Sequence, residues 1–230
     1  MLTSDELQAL RLSMQAALVG TGLGMPVAII VGWMLVKKSF RGKAVLDMFV
    51  SFPLVLPPII TGYFLLVMLG PNGPIGRLLD YLFGIDLVFT WIAAGLAAGL
   101  VALPLMVRAT EVAMAGVDPR LELAARSLGA GAFRTFLTVT IPLAYRGIIA
   151  AALLAFARGL GEFGATIIVA GNIPGRTQTI PLAMFTDLQA GDDTGALRLI
   201  GLSLALALLS LSIHHVLVRR REPARSWPTY

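Results

Sequence analysis

Residues 118–142 read D-P-R-L-E-L-A-A-R-S-L-G-A-G-A-F-R-T-F-L-T-V-T-I-P, the longest polar-tolerant, helix-forming stretch in an otherwise apolar chain. It opens like a helix in water. Asp118 can accept bonds from the first-turn amides, and Pro119 suits a first position with no N–H to lose. Glu122 sits near the positive end of the helix dipole. Leu121, Ala124, Ala125 and Leu128 fall on one face, with Arg120 and Arg126 solvated. Gly129 and Gly131 then let the chain turn. Small alanines followed by a glycine turn give a thin surface that another protein can approach closely; the plainer alternative is a surface helix joining two membrane spans.

Around this segment the 230-residue chain is 57% hydrophobic and 13% charged, with mean hydropathy +0.83. Soluble domains carry about 25% charge, so these values describe an all-α integral membrane protein, read as one unit over 1–230. Five apolar stretches reach the ~20 residues a crossing needs. They are Leu12–Val36, Leu46–Leu69, Thr90–Val107, Ile148–Ala170 and Leu199–Val218. With short helices between them, five to six transmembrane helices are expected. Thr3 and Glu6 form a capping-box pattern, read as a short amphipathic helix at the membrane surface. Asp5 and Glu6 in place of a basic lead argue against a cleaved signal. No cysteine is present, so disulfides and thiolate metal sites are excluded.

The net charge of +5 raises the question of nucleic acid, and its placement answers it. Thirteen of the 18 basic residues, from Lys37 and Lys38 through Arg108, Arg126 and Arg146 to Arg225, fall on one side of the spans. Arg11, Arg77, Arg176 and Arg198 fall on the other. The positive-inside rule puts the N-terminus outside, and the C-terminus and 118–142 in the cytoplasm. The basic surplus is topology, and the partner is lipid rather than nucleic acid. The run R-R-R-E at 219–222 reads as a stop-transfer anchor.

Within the spans, Pro53, Pro57 and Pro58 interrupt the second. Freed carbonyls are tolerated in a bilayer only against protein or a watery cavity, so this helix faces the interior, with Thr61 a candidate pathway residue; a packed structural kink is the alternative. Gly147, Ala151, Ala155 and Gly159 form a small-residue stripe suited to packing within the protomer or at a dimer seam. Arg158 and Glu162 lie four apart on one expected helix and can pair. Intramembrane charge is costly, so the pair, with nearby Thr166, is either a pathway element or a clip between helices. Outside, Arg176, Thr177 and Gln178 cluster donors in the loop after the fourth span, for docking or for contact with an oxyanion; a solvated loop is the alternative. His214 and His215 read as interfacial. No catalytic or metal-binding constellation is found, and G-x-x-x-x-G-K-S/T is absent, so no ATP site of its own is expected.

The segment 118–142 resembles the cytoplasmic docking loop of bacterial ABC-importer permeases. That pattern is Glu-Ala-Ala, three residues, Gly, nine residues, Ile, one residue, Leu-Pro. Ala124-Ala125, Gly129, Val139 and Ile141-Pro142 reproduce it, with Leu123 at the Glu position and the acid moved to Glu122. The resemblance makes Glu122, Ala124, Ala125, Gly129 and Pro142 the ATPase-docking residues. The segment F-A-R-G-L-G-E-F-G-A-T-I-I-V-A-G-N-I-P-G-R-T-Q-T-I-P at 156–181 is similar to molybdate-importer permeases, as are F-P-L-V-L-P-P at 52–58 and A-L-P-L-M-V-R-A at 102–109. Sulfate and thiosulfate permeases resemble it less. The likeness implies a type I importer fold in a bacterial inner membrane and a homodimer. It implies two ATPase copies, which use ATP and Mg, and an extracytoplasmic binding protein for molybdate or tungstate. The alternatives are a permease for sulfate or thiosulfate, an ion-coupled secondary carrier and a non-transporting scaffold. A secondary carrier is expected to show inverted repeats, and the sequence shows none.

Overall fold

The computed structural model describes residues 3–219, and among these no strand occurs. The helices are α1 (Ser4–Lys37), α2 (Lys43–Val55), α3 (Pro58–Leu69), α4 (Pro74–Phe83), α5 (Trp91–Ala115), α6 (Pro119–Ser127), α7 (Ala132–Thr135), α8 (Ile141–Leu160), α9 (Gly164–Val169), α10 (Ile180–Ala190) and α11 (Asp193–Arg219). A π-helical turn, Phe136–Thr140, joins α7 to α8. The stop-transfer run beyond Arg219 lies outside the described residues.

The capping box forms, with the Glu6 amide donating to Thr3 Oγ1 (3.3 Å) and the Thr3 amide to Glu6 Oε2 (2.6 Å). It opens the first span itself, not a separate surface helix. Nothing between Glu6 and Leu12 breaks the helix, so α1 runs 34 residues. At 1.5 Å per residue that is about 50 Å, longer than the hydrocarbon core of a bilayer.

The centre is built from α1, α5 and α8, with α11 against α8 and α10. At the α1–α5 crossing a Cβ on Gly20 would lie 2.5 Å from the Gly95 carbonyl oxygen and 2.7 Å from the Gly99 amide nitrogen. Only hydrogen fits there, so the backbones touch. The stripe on α8 turns into this centre: Ala151 and Ala155 are buried, and a Cβ on Gly159 would touch Ala17 and Ala98. It packs inside the protomer.

Among the described residues, four helical stretches, Ser4–Lys37, Trp91–Ala115, Ala132–Leu160 and Asp193–Val216, are long and apolar enough to cross a membrane. The bent pair α2–α3 makes a fifth. The second span is interrupted where the prolines predict: it is two helices with a bend of 112° between them, because Leu56 turns extended before Pro57 and Pro58. One expectation is corrected. The fourth begins at Ala132 and stops at Leu160 instead of running on to Ala170, because the chain leaves helical geometry at Gly161 and again at Phe163. The stretch after it also holds α10, which the sequence reading treats as loop; Thr179 as cap with Pro181 in the first turn was its signal.

Candidate functional site

The two breaks lie against each other. A Cβ on Gly164, the first residue of α9, would sit 3.0 Å from Pro58 Cβ, and one on Gly62 would sit 2.5 Å from the Ala165 carbonyl oxygen. So the proline-broken pair α2–α3 faces α9, just past the break that ends α8. Interrupted helices are tolerated at membrane depth only where protein or a water-filled cavity covers the loose backbone. Glu162 sits at this junction, 3% exposed. It is past the end of α8, so it does not share a helix with Arg158 as the spacing suggests, yet the pair forms at 2.9 Å. Its second oxygen accepts from the Ala165 amide at 3.0 Å, capping α9. Both carboxylate oxygens are therefore occupied, and the Arg158 charge is matched. Thr166 is buried beside Ala165. Thr61, next to Gly62, is buried with a hydroxyl that has no partner among the described residues.

In the loop between α9 and α10 the expected donor cluster divides. Arg176 is exposed and lines a cleft of about 780 Å³ with Gln8, Arg11, Asp86 and Trp91. Thr177 and Gln178 turn inward. The Ile173 amide donates to Thr177 Oγ1 (3.1 Å), and Gln178 Nε2 donates to Thr186 (3.3 Å), so these two fasten the loop instead of presenting donors. At the same cleft Phe89 holds φ 57°, a left-handed value costly for an aromatic residue, with its amide on the Val169 carbonyl (3.0 Å) at the end of α9. Asp187 on α10 is pushed up from the ordinary carboxylate range, first by burial, then by Asp192 and Glu6.

On the opposite side, Asp118 caps α6 by accepting from the Arg120 amide at 2.9 Å. Glu122 does not face outward: Lys37 Nζ pairs with Oε2 (3.1 Å) and Thr140 Oγ1 donates to Oε1 (2.7 Å), fastening α6 to the end of α1 and to the π turn. Beside the solvated Arg120 and Arg126, the segment presents apolar side chains. Leu121, Leu123 and Ala124 are exposed, and Leu128 is 90% exposed. Ala125 is half-buried and Pro142 exposed. Gly129 turns the chain at φ +88°, and no described residue lies within 4 Å of where a Cβ would be.

The sequence matches the profile of binding-protein-dependent transport system inner membrane components over residues 24–223. The chain belongs to this permease family. It is 50% identical over 219 residues to the molybdenum transport system permease protein ModB of Escherichia coli K12, covering 95% of this chain and 96% of that one. The Haemophilus influenzae ModB is 44% identical (94% and 95%). The sulfate transport system permease protein CysT of Salmonella typhimurium is 32% identical (88% and 73%). A chain of a bacterial alginate ABC transporter superposes with TM-score 0.72 at 15% identity (95% and 80%), and one of the MetNI methionine transporter, in an inward-facing form, with 0.68 at 17% (95% and 94%). The fold is that of type I ABC-importer permeases.

The permease also holds a polar junction that the sequence reading passed over. Arg108, given no bonding role there, pairs with Asp47 (2.6 Å) and Glu111 (2.9 Å), and donates to Ser51 Oγ (2.7 Å), tying α2 to α5. Its three-residue spacing to Glu111 was readable; the reach to α2 was not. At the far end His214 Nδ1 donates to the Ala150 carbonyl (2.9 Å), pinning α11 to α8.

Proposed function

We propose that this permease is the membrane-spanning subunit of an ATP-driven molybdate importer, also open to tungstate. It works as a homodimer with two copies of a separate ATPase and an extracytoplasmic binding protein. The observation that carries the substrate is the 50% identity to ModB over nearly the whole of both chains. The bare apolar face of α6 supports docking of an ATPase, which uses the ATP and Mg. The basic residues support an N-terminus outside, a C-terminus inside and 118–142 in the cytoplasm. The cleft with Arg11 and Arg176 supports docking of an acidic surface of the binding protein.

The pathway runs past the junction of the two breaks, where Thr61 and Thr166 are the near hydroxyls. Arg158 is matched by Glu162, so the path carries little unpaired positive charge, and a dianion is passed on rather than held. Drawing the two docking segments together rocks the spans between openings as rigid bodies, and the junction between α3 and α9 opens or closes with them.

Uptake of radiolabelled molybdate into vesicles holding the permease, its ATPase and its binding protein tests this. Expected are ATP-dependent uptake with the full set and none when the ATPase is omitted. The likeness to CysT supplies the rival substrate, and sulfate taken up in preference to molybdate rejects the assignment. Uptake without an ATPase, driven by an ion gradient, would mean a secondary carrier.

A further inference from the structure

Under the docking segment lies a cavity of about 210 Å³ that the transport cycle above does not use. The end of α1 supplies Trp33, Lys37 and Lys38, α6 supplies Glu122 and Arg126, and α7 supplies Thr135. Both Glu122 oxygens are taken, by Lys37 and by the Thr140 hydroxyl. Lys38 and Arg126 are left with no carboxylate partner among the described residues. The Lys38 ammonium lies 4.8 Å from the Trp33 ring centre, which orients it at the cavity. Thr135 is 4% exposed, and its hydroxyl has no partner among the described residues. A buried hydroxyl in that state is costly unless something completes it.

Two unmatched cations and an unsatisfied hydroxyl around one small space suit a tetrahedral oxyanion, with the planar guanidinium adding paired donors. Position decides its source. Trp33 and the last turn of a membrane-spanning helix set the cavity at headgroup depth, where phosphodiesters are concentrated. Basic pockets at the cytoplasmic ends of spans select anionic headgroups. We propose that this cavity binds the phosphate of an inner-leaflet anionic phospholipid, wedged between the end of α1 and the docking helix, so that the membrane itself helps set the docking segment. The leaflet rests on the orientation proposed above.

The test uses the permease co-purified with its ATPase, stripped of lipid in detergent and titrated with phosphatidylglycerol, retained lipid being counted by native mass spectrometry. Lys38→Gln with Arg126→Gln is expected to weaken retention about 30-fold, at about fivefold per basic group. Arg126→Gln alone changes an exposed side chain, keeps the fold, and should weaken it about fivefold. Thr135→Val should also weaken retention while leaving thermal stability equal or higher, and Arg77→Gln should leave retention unchanged. Equal retention by wild type and double variant overturns the proposal. Inorganic phosphate binding at the same residues without phosphatidylglycerol binding overturns the lipid and keeps the anion. A wrong orientation shows separately, as protease access to 118–142 from outside right-side-out vesicles, and leaves the detergent titration unaffected.

Discussion

Glu162 is the side chain on which the interior junction turns. It caps α9 through the Ala165 amide and matches Arg158, and it is almost wholly buried. Arg158 keeps 38% of its side chain exposed, so the ion pair is worth little more than a surface pair, under about 1 kcal/mol. Loss of the cap costs about another 1 kcal/mol. Glu162→Ala should therefore lower stability by about 2 kcal/mol, and Arg158→Gln by less than about 1 kcal/mol, in thermal unfolding of the detergent-solubilised protein. The reverse order would remove the capping role. On α10, the raised Asp187 carboxyl gives a prediction of definite sign. A carboxyl whose folded-state value is raised favours the fold when protonated. That contribution is full below the ordinary carboxylate range and is lost as pH rises through the raised value. Asp187→Asn should thus raise the melting temperature at neutral pH, with the gain shrinking as pH falls toward the ordinary range. A gain that stays constant with pH would point to packing instead. At this scale the sequence showed residue types and not directions: it offered Glu122, Thr177 and Gln178 as contacts, and folding turned all three inward, because each completes a loop or helix-end bond nearer than any partner.

Among the elements, the contact between α1 and α5 is the most demanding. Gly20 and Gly99 meet backbone to backbone, so a larger side chain at Gly20 must part the helices. Gly20→Leu should destabilise by at least about 3 kcal/mol, the upper range of overpacking, whereas Gly22→Leu, two residues on with no described residue within 4 Å, should change little. Yield of monodisperse protein and its melting temperature compare the two. Equal behaviour would mean that the helices cross elsewhere. The element scale was the most legible in the sequence. Long apolar runs gave the spans, Asp118 and Pro119 gave the start of α6, and the prolines at 53–58 gave a break, since each signal acts within its own stretch. The end of α8 was not legible. Its apolar run continues through Ala170, and the stop at Gly161 depends on Glu162 and Gly164 meeting α9 and Pro58, contacts made only after folding.

At the scale of the whole molecule, the coupling reading depends on a handle that is fastened inward by polar groups and bare outward. Leu128 at 90% exposure touches almost nothing of its own chain, so its substitution should leave the isolated permease unchanged. If an ATPase covers it, Leu128→Glu places a charge in an apolar contact, and a central contact of that kind is worth about 2 kcal/mol or more, about 30-fold in affinity. Gly129→Ala separates two effects. Its φ of +88° makes any side chain strained, by about 1–2 kcal/mol, while the open space around it means no clash with the described residues. The isolated variant should therefore melt slightly earlier and still insert. Gly129→Glu adds bulk facing the partner and should lose ATPase co-purification and molybdate uptake together. Comparing melting temperature without the ATPase to binding with it sorts the three: Leu128→Glu lowers binding alone, Gly129→Ala mainly stability, Gly129→Glu both. Wild-type ATPase binding by Leu128→Glu and Gly129→Glu would place the contact elsewhere, and the exposed leucines of α6 would then need another cover, since an apolar face so bare is not left to water.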